Sequence, residues 1–264
     1  MKPVSDIPVE QLKGMRYLLT DIDDTVTENG LLPAASLEAI ERLDRAGIAV
    51  IPVTGRPAGW CDHIARMWSV RGVVGENGAF YFSYDRQKRT MRQAFAKNAD
   101  EREKDKIRLN QIKRQILERV PGAGVSSDQE YRIADLAIDF CEDVACLSQE
   151  EIQQIVETFE DFGATAKIST IHVNGWFGEY NKLSMTKICL NELFGVNIKR
   201  DNEKIVFIGD SPNDSPMFSY FKNSVGVANV ADFDLPAPPN WITNNRSSGG
   251  FIEFAALLLK AHGC

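Results

Sequence analysis

An apolar run, Tyr17-Leu18-Leu19-Thr20, ends abruptly in Asp21-Ile22-Asp23-Asp24-Thr25, so that three carboxylates fall within four residues. A run of this length suits a buried strand, and buried carboxylates are costly unless they are paired or bind a cation. Open α/β sheets place their sites outside the carboxyl ends of parallel strands. The stretch therefore predicts a site at a strand end and restricts the chain to folds in which that end opens on a crevice. Taken alone, these residues also admit a plainer reading as an acidic turn.

Strand and helix signals alternate around this run. Pro33 to Ala46 predicts a helix with Leu37, Ile40 and Leu43 on one face, closed by Gly47. Ile48 to Val53 predicts a strand that ends in Thr54-Gly55-Arg56, and Ala58 to Trp68 predicts a helix opened by Pro57. Val73-Val74 and Ala79 to Tyr84 predict short strands around Glu76-Asn77-Gly78. This rhythm argues for a parallel sheet covered on both faces.

The character changes near Asp85. Residues 85–119 are dense in charge, with Ile107, Ile112, Ile116 and Val120 suggesting an amphipathic helix stopped by Pro121-Gly122. Ile133 to Phe140 and Lys167 to Val173 read as strands, and Glu150 to Phe162 as a helix. The α/β rhythm resumes with a helix at Leu183 to Phe194 and a buried strand, Ile205 to Ile208, running into Gly209-Asp210-Ser211-Pro212-Asn213-Asp214. Short strands at Ser224 to Val227 and Trp241-Ile242 and a helix at Phe251 to Leu259 close the chain. The expected organisation is a Rossmann-like α/β core, residues 1–84 and 179–264, with an inserted α+β module over 85–178.

A formal net charge of −7 argues against a nucleic-acid footprint, which needs a basic face. No apolar run approaches membrane-spanning length, and Met1 to Lys13 show no signal-peptide pattern, so a cytoplasmic protein is expected. The five cysteines include no C-x-x-C pair and are expected as free thiols. The three histidines lack metal-ligand spacing. Two acidic clusters, Asp21 with Asp23 and Asp210 with Asp214, end two separate strands. If those strands are neighbours, the carboxylates converge and repel unless a hard cation joins them, and an all-oxygen set suits Mg²⁺.

In order along the chain, DIDDT, Thr54, Lys182 and GDSPND resemble the four motifs of the haloacid dehalogenase-like phosphatases. The resemblance implies Asp21 as the nucleophile that forms an aspartyl-phosphate and Asp23 as general acid and then base. Thr54 would donate its hydroxyl to a phosphoryl oxygen, and Lys182, preferred over Lys187, would neutralise charge. Mg²⁺ would be held by Asp21, the Asp23 backbone carbonyl and Asp210, with Asp214 beside it. Asp24 departs from the glycine common there, but Asp tolerates a left-handed turn. The insertion between Thr54 and Lys182 resembles the α+β cap of the subfamily that includes sucrose-phosphate, trehalose-phosphate and mannosyl-phosphoglycerate phosphatases. A small phosphorylated metabolite is then the expected substrate, a sugar phosphate first. Gly55, Arg56, Asn77 and Asn213 join Thr54 as candidate substrate contacts. His172, Asn174 and Trp176 alternate on one face of an extended stretch and are either sugar contacts or a packed hinge. The alternatives are a phosphomannomutase-like enzyme and a catalytically silent phosphosugar-binding protein.

Overall fold

The computed structural model describes residues 1–169 and 171–264. The first half alternates strand and helix. In chain order it contains β1 (Lys2–Pro3), α1 (Val9–Gly14), β2 (Tyr17–Thr20), α2 (Ala34–Arg45), β3 (Ala49–Pro52), α3 (Ala58–Met67) and β4 (Val73–Gly75). An antiparallel hairpin follows, β5 (Phe80–Asp85) and β6 (Thr90–Phe95). The middle block holds α4 (Ala99–Arg119), β7 (Gly124–Val125), β8 (Leu136–Asp139), α5 (Gln149–Asp161), β9 (Thr165–Ile168) and β10 (His172–Trp176). The chain then returns through α6 (Lys182–Phe194), β11 (Ile205–Gly209), α7 (Ser215–Tyr220), β12 (Asn223–Gly226), β13 (Trp241–Ile242) and α8 (Ser247–Ala261).

Six of these strands form one all-parallel sheet in the order β1-β13-β12-β11-β2-β3. Side chains alternate across it. Leu18 joins Ile40, Leu43, Phe251 and Phe254 on one face, while Leu19 joins Met185, Leu190, Met217 and Phe218 on the other. Helices on both faces explain why β2, β3 and β11 are unbroken apolar runs. Each fully buried leucine of β2 contributes about 1.5–3 kcal/mol of transfer free energy. The expected α/β class, with its parallel core, is what the chain adopts.

A three-stranded antiparallel sheet, β4-β5-β6, adjoins the edge through a single parallel bridge, Val53 to Val74. Strand β6 was not read from the sequence. It pairs with β5 along its length, so the chain stays beside the parallel sheet through Phe95 and crosses to the second module only after it. A separate four-stranded sheet, β7-β8-β10-β9, carries α4 and α5 on one face around Ile112, Ile116, Ile155 and Phe159. Capping boxes at Asn98/Glu101 and Ser148/Glu151 start those two helices.

Five local expectations need correction. Leu37 is exposed, because the buried face of α2 runs through Ser36, Ala39, Ile40 and Leu43 and position 37 is out of phase with it. Ile107 is exposed, because the buried stripe of α4 runs through Leu109, Ile112 and Ile116 and position 107 is out of phase with it. The expected strand at Ile133 begins only at Leu136, since the amides of 133–135 are bound elsewhere. Lys167 to Val173 is not one strand but parts of two, β9 and β10, antiparallel to each other. Cys141 and Cys146 are joined in a disulfide rather than free, whereas Cys61, Cys189 and Cys264 are free thiols. The pairing follows from a tight reversal after β8. Asp139 accepts the N–H groups of Cys141, Glu142 and Asp143, and Leu147 N–H returns to Phe140 O, leaving the two cysteine Cα atoms 4.1 Å apart.

Candidate active site

Strand β2 lies between β3 and β11, and the chain leaves these neighbours in opposite directions across the sheet. Their carboxyl ends open on a crevice at a topological switch point. Asp21 follows β2, its N–H bonded to Ile208 O at 2.9 Å and its side chain buried. Asp210 follows β11. Its N–H donates to Asp214 Oδ2 at 3.2 Å, while its own carboxylate faces Thr25 Oγ1 and Asn229 Nδ2, each at 3.4 Å. Thr54 follows β3 and is fully buried beneath the crevice. Its Oγ1 accepts the Arg56 N–H at 3.0 Å, so its own hydroxyl proton stays free to donate.

Lys182 reaches the cluster from the first turn of α6. Its Nζ donates to Asp21 Oδ1 at 2.7 Å and to Asp214 Oδ1 at 2.9 Å, and all three side chains are buried. Two local features place it. Asn181 caps the helix in a reciprocal box with Ser184. Gly78, at φ +106°, lets its loop press against the Asn181 carbonyl, which any Cβ would overlap. Lys187, the rejected alternative, lies over the Tyr220 ring instead.

Asp21, Asp210 and Asp214 each present a carboxylate oxygen within 4.8 Å of the others. One lysine does not balance three carboxylates. Burial, reinforced by Asp214 and Asp23, pushes the Asp21 carboxyl up to about 7 against the pull of Lys182. Burial, with Asp21 and Asp214 close by, pushes Asp210 up to about 9. The same carboxylates raise the Lys182 ammonium above its ordinary value despite burial, so it stays charged. Excess negative charge on oxygen-only ligands, without histidine or thiolate, fits a hard divalent cation such as Mg²⁺.

Above the cluster lies a cleft of about 1010 Å³ between the ends of the parallel strands and the second module. Asp21, Asp23, Asp24, Gly55, Arg56, Asn77, Asp210 and Asn213 line its core side, and His172 and Asn174 its far side. Lys182, Thr54 and Asp214 sit just beneath. Trp176, expected with His172 and Asn174, does not reach the cleft. It is buried at the end of β10 with its ring 6.0 Å from that of Tyr180.

The Asp23 carboxylate is gripped by Arg56, with Nε 3.0 Å from both oxygens and Nη2 2.6 Å from Oδ1. Arg56 is itself backed by the Trp60 ring at 4.4 Å. Asp24 does adopt the left-handed conformation, φ 52°, with its N–H on Thr27 Oγ1. Sequence reasoning missed Arg132, Lys167 and Glu142 on the far wall and Asn229 beside Asp210. A basic residue directly before the Ile133 run was the one available signal for Arg132.

The sequence profile of the haloacid dehalogenase-like hydrolases matches residues 18–119 and 124–254. The chain belongs to that family. It is 25% identical over 244 residues to a phosphoglycolate phosphatase of Methanobrevibacter smithii, covering 89% of this chain and 95% of that one. Among solved structures, a Thermoplasma acidophilum protein superposes with a TM-score of 0.70 at 17% identity, over 93% of this chain and 99% of that one. The sucrose-phosphatase of Synechocystis sp., solved with sucrose and phosphate, superposes at 0.60 and 16% identity, over 92% and 98%.

Proposed function

We propose that this haloacid dehalogenase-like hydrolase is a Mg²⁺-dependent phosphatase of a small phosphorylated metabolite, working through an aspartyl-phosphate on Asp21. The buried cluster of Lys182 with Asp21, Asp214 and Asp210 at the foot of the cleft carries this reading. In it, an Asp21 oxygen attacks phosphorus and the bond to the leaving alkoxide breaks. Asp23, on the same wall of the cleft, gives the alkoxide its proton. Asp23 then takes a proton from the water that attacks the aspartyl-phosphate, which releases inorganic phosphate and restores Asp21. Lys182 holds charge against the nucleophile, and the Thr54 hydroxyl donates to a phosphoryl oxygen. Arg56 orients the Asp23 carboxylate. Asp21, Asp210, Asp214 and the Asp23 carbonyl would hold Mg²⁺, which would neutralise charge on the transferring phosphoryl group when bound.

The second module acts as a cap. Its sheet faces the crevice, and the cleft volume suits a metabolite rather than a macromolecule. Polar groups on the far wall, Arg132, His172, Asn174 and Lys167, suit a leaving group rich in hydroxyls or carrying a carboxylate. Sugar phosphates therefore come first, with phosphoglycolate, named for the curated relative, beside them.

The test is phosphate release from a panel of such esters, with Mg²⁺ and with EDTA, in the wild type and Asp21→Asn. Mg²⁺-dependent release that is lost in the variant is expected. Release that persists in Asp21→Asn, or none from any ester, would sink the proposal.

A further inference from the structure

Glu76 takes no part in the chemistry above, yet it is fully buried and held in the left-handed region at φ 41°. A non-glycine residue persists there only where its surroundings over-determine it. Here the carboxylate does so. Oε1 accepts the N–H of Ala58 at 2.9 Å and of Ile133 at 3.0 Å. Oε2 accepts the N–H of Ala134 at 2.6 Å and of Asp135 at 3.2 Å. Ala58 begins α3 beside the parallel sheet, whereas the other three residues lead into β8 of the second module. One buried carboxylate is thus satisfied by main-chain donors from both halves. Burial and the neighbouring Asp135 push it up to about 8, while Arg132 and these N–H groups draw it down.

The segment it grips carries part of the cleft wall. Asp135 receives Arg132 Nη1 and Asn174 Nδ2, both at 3.1 Å. Arg132 is pinned further by Asp128 at 2.8 Å and by Gly55 O, across the divide, at 3.1 Å. The two chain crossings that bound the module lie elsewhere, after β6 and after β10.

We propose that Glu76 is a positioning residue that fastens the cap to the catalytic sheet at a third point, holding Arg132 and Asn174 in place over Asp21 before substrate arrives. The kinetic consequence rests on the phosphatase reading, but the fastening itself does not.

Two measurements on the full chain test it. The first is hydrogen–deuterium exchange of the Ile133, Ala134 and Asp135 amides, which lie outside any helix or strand. In the wild type they should be as protected as the β2 amides, and in Glu76→Gln, whose side chain keeps only one acceptor oxygen, at least one of them should exchange about tenfold faster or more while β2 stays protected. Rapid exchange at all three in the wild type would overturn the proposal without any bearing on catalysis. The second compares Glu76→Gln with wild type on p-nitrophenyl phosphate and on glucose 6-phosphate or 2-phosphoglycolate, whichever the wild type cleaves faster. The metabolite kcat/KM should fall about tenfold or more, chiefly through KM, with p-nitrophenyl phosphate changed by less than about threefold. Equal losses on both esters would mark a merely structural residue. If the wild type cleaves neither metabolite, the panel ester it cleaves fastest takes their place; if it cleaves none, the phosphatase reading fails and exchange alone decides the fastening.

Discussion

At the residue scale the site is an electrostatic arrangement built on one lysine. Lys182 is the only cation hydrogen-bonded to Asp21 and Asp214 among the described residues, and all three are buried. Removing one partner from such a group strands the others. Lys182→Met should cost about 3 kcal/mol or more in metal-free urea unfolding and abolish turnover. Turnover near the wild-type rate in a folded variant would show that Asp21 does not need the ammonium. These residues were legible because each sits within a residue or two of a strand or helix end, where sequence order fixes spatial order. Glu76, Arg132 and Asp135 were not, since their meeting depends on how one half docks on the other. Asp24 was legible for another reason, because its side-chain type admits the positive φ it adopts.

At the element scale, β2, β3, β11, β12 and β13 and the helices α2, α3, α6 and α8 followed from apolar runs and helical phasing, whereas β1, α1 and α7, each six residues or fewer, carry too short a pattern to be read. The antiparallel parts followed less well. Thr90–Phe95 contains Arg92 and Gln93 and has no buried residue, so it reads as a piece of the charged block until β5 supplies its hydrogen-bond partner. Residues 169–171, between β9 and β10, include no glycine, proline or asparagine, so the sequence carries no mark that separates the two strands. Packing of α5 on β10 is tight enough to demand a glycine. A Cβ at Gly175 would overlap the Phe159 ring. Gly175→Ala should therefore destabilise the second module by about 1–3 kcal/mol. Exchange of the β8 and β10 amides should quicken while β2 and β11 hold. Unchanged exchange would mean that Phe159 turns aside freely.

At the scale of the whole molecule, the site works against the stability of the metal-free fold. Asp21 and Asp210 have folded values of about 7 and about 9, against ordinary values near 3.8. Between about pH 4 and 9 the folded chain then holds more protons than the unfolded one, so stability falls as pH rises through that window. A bound cation removes the penalty and displaces those protons. Mg²⁺ should raise the Tm more at pH 8.5 than at pH 5.5, with proton release on titration at neutral pH. An equal rise at both values would detach the metal from these carboxylates. No helix among the described residues is long and apolar enough to cross a membrane.

The central claim is that phosphate passes through Asp21. The most direct test is an acid-quenched single turnover of Asp23→Asn with p-nitrophenyl phosphate and Mg²⁺, followed by mass spectrometry of the peptide that carries Asp21. This ester has a leaving group that needs no proton, so the intermediate should form, and without the Asp23 base it should accumulate. The account predicts one phosphoryl group on Asp21. Phosphate released with that peptide unmodified, and the same release from Asp21→Asn, would contradict it.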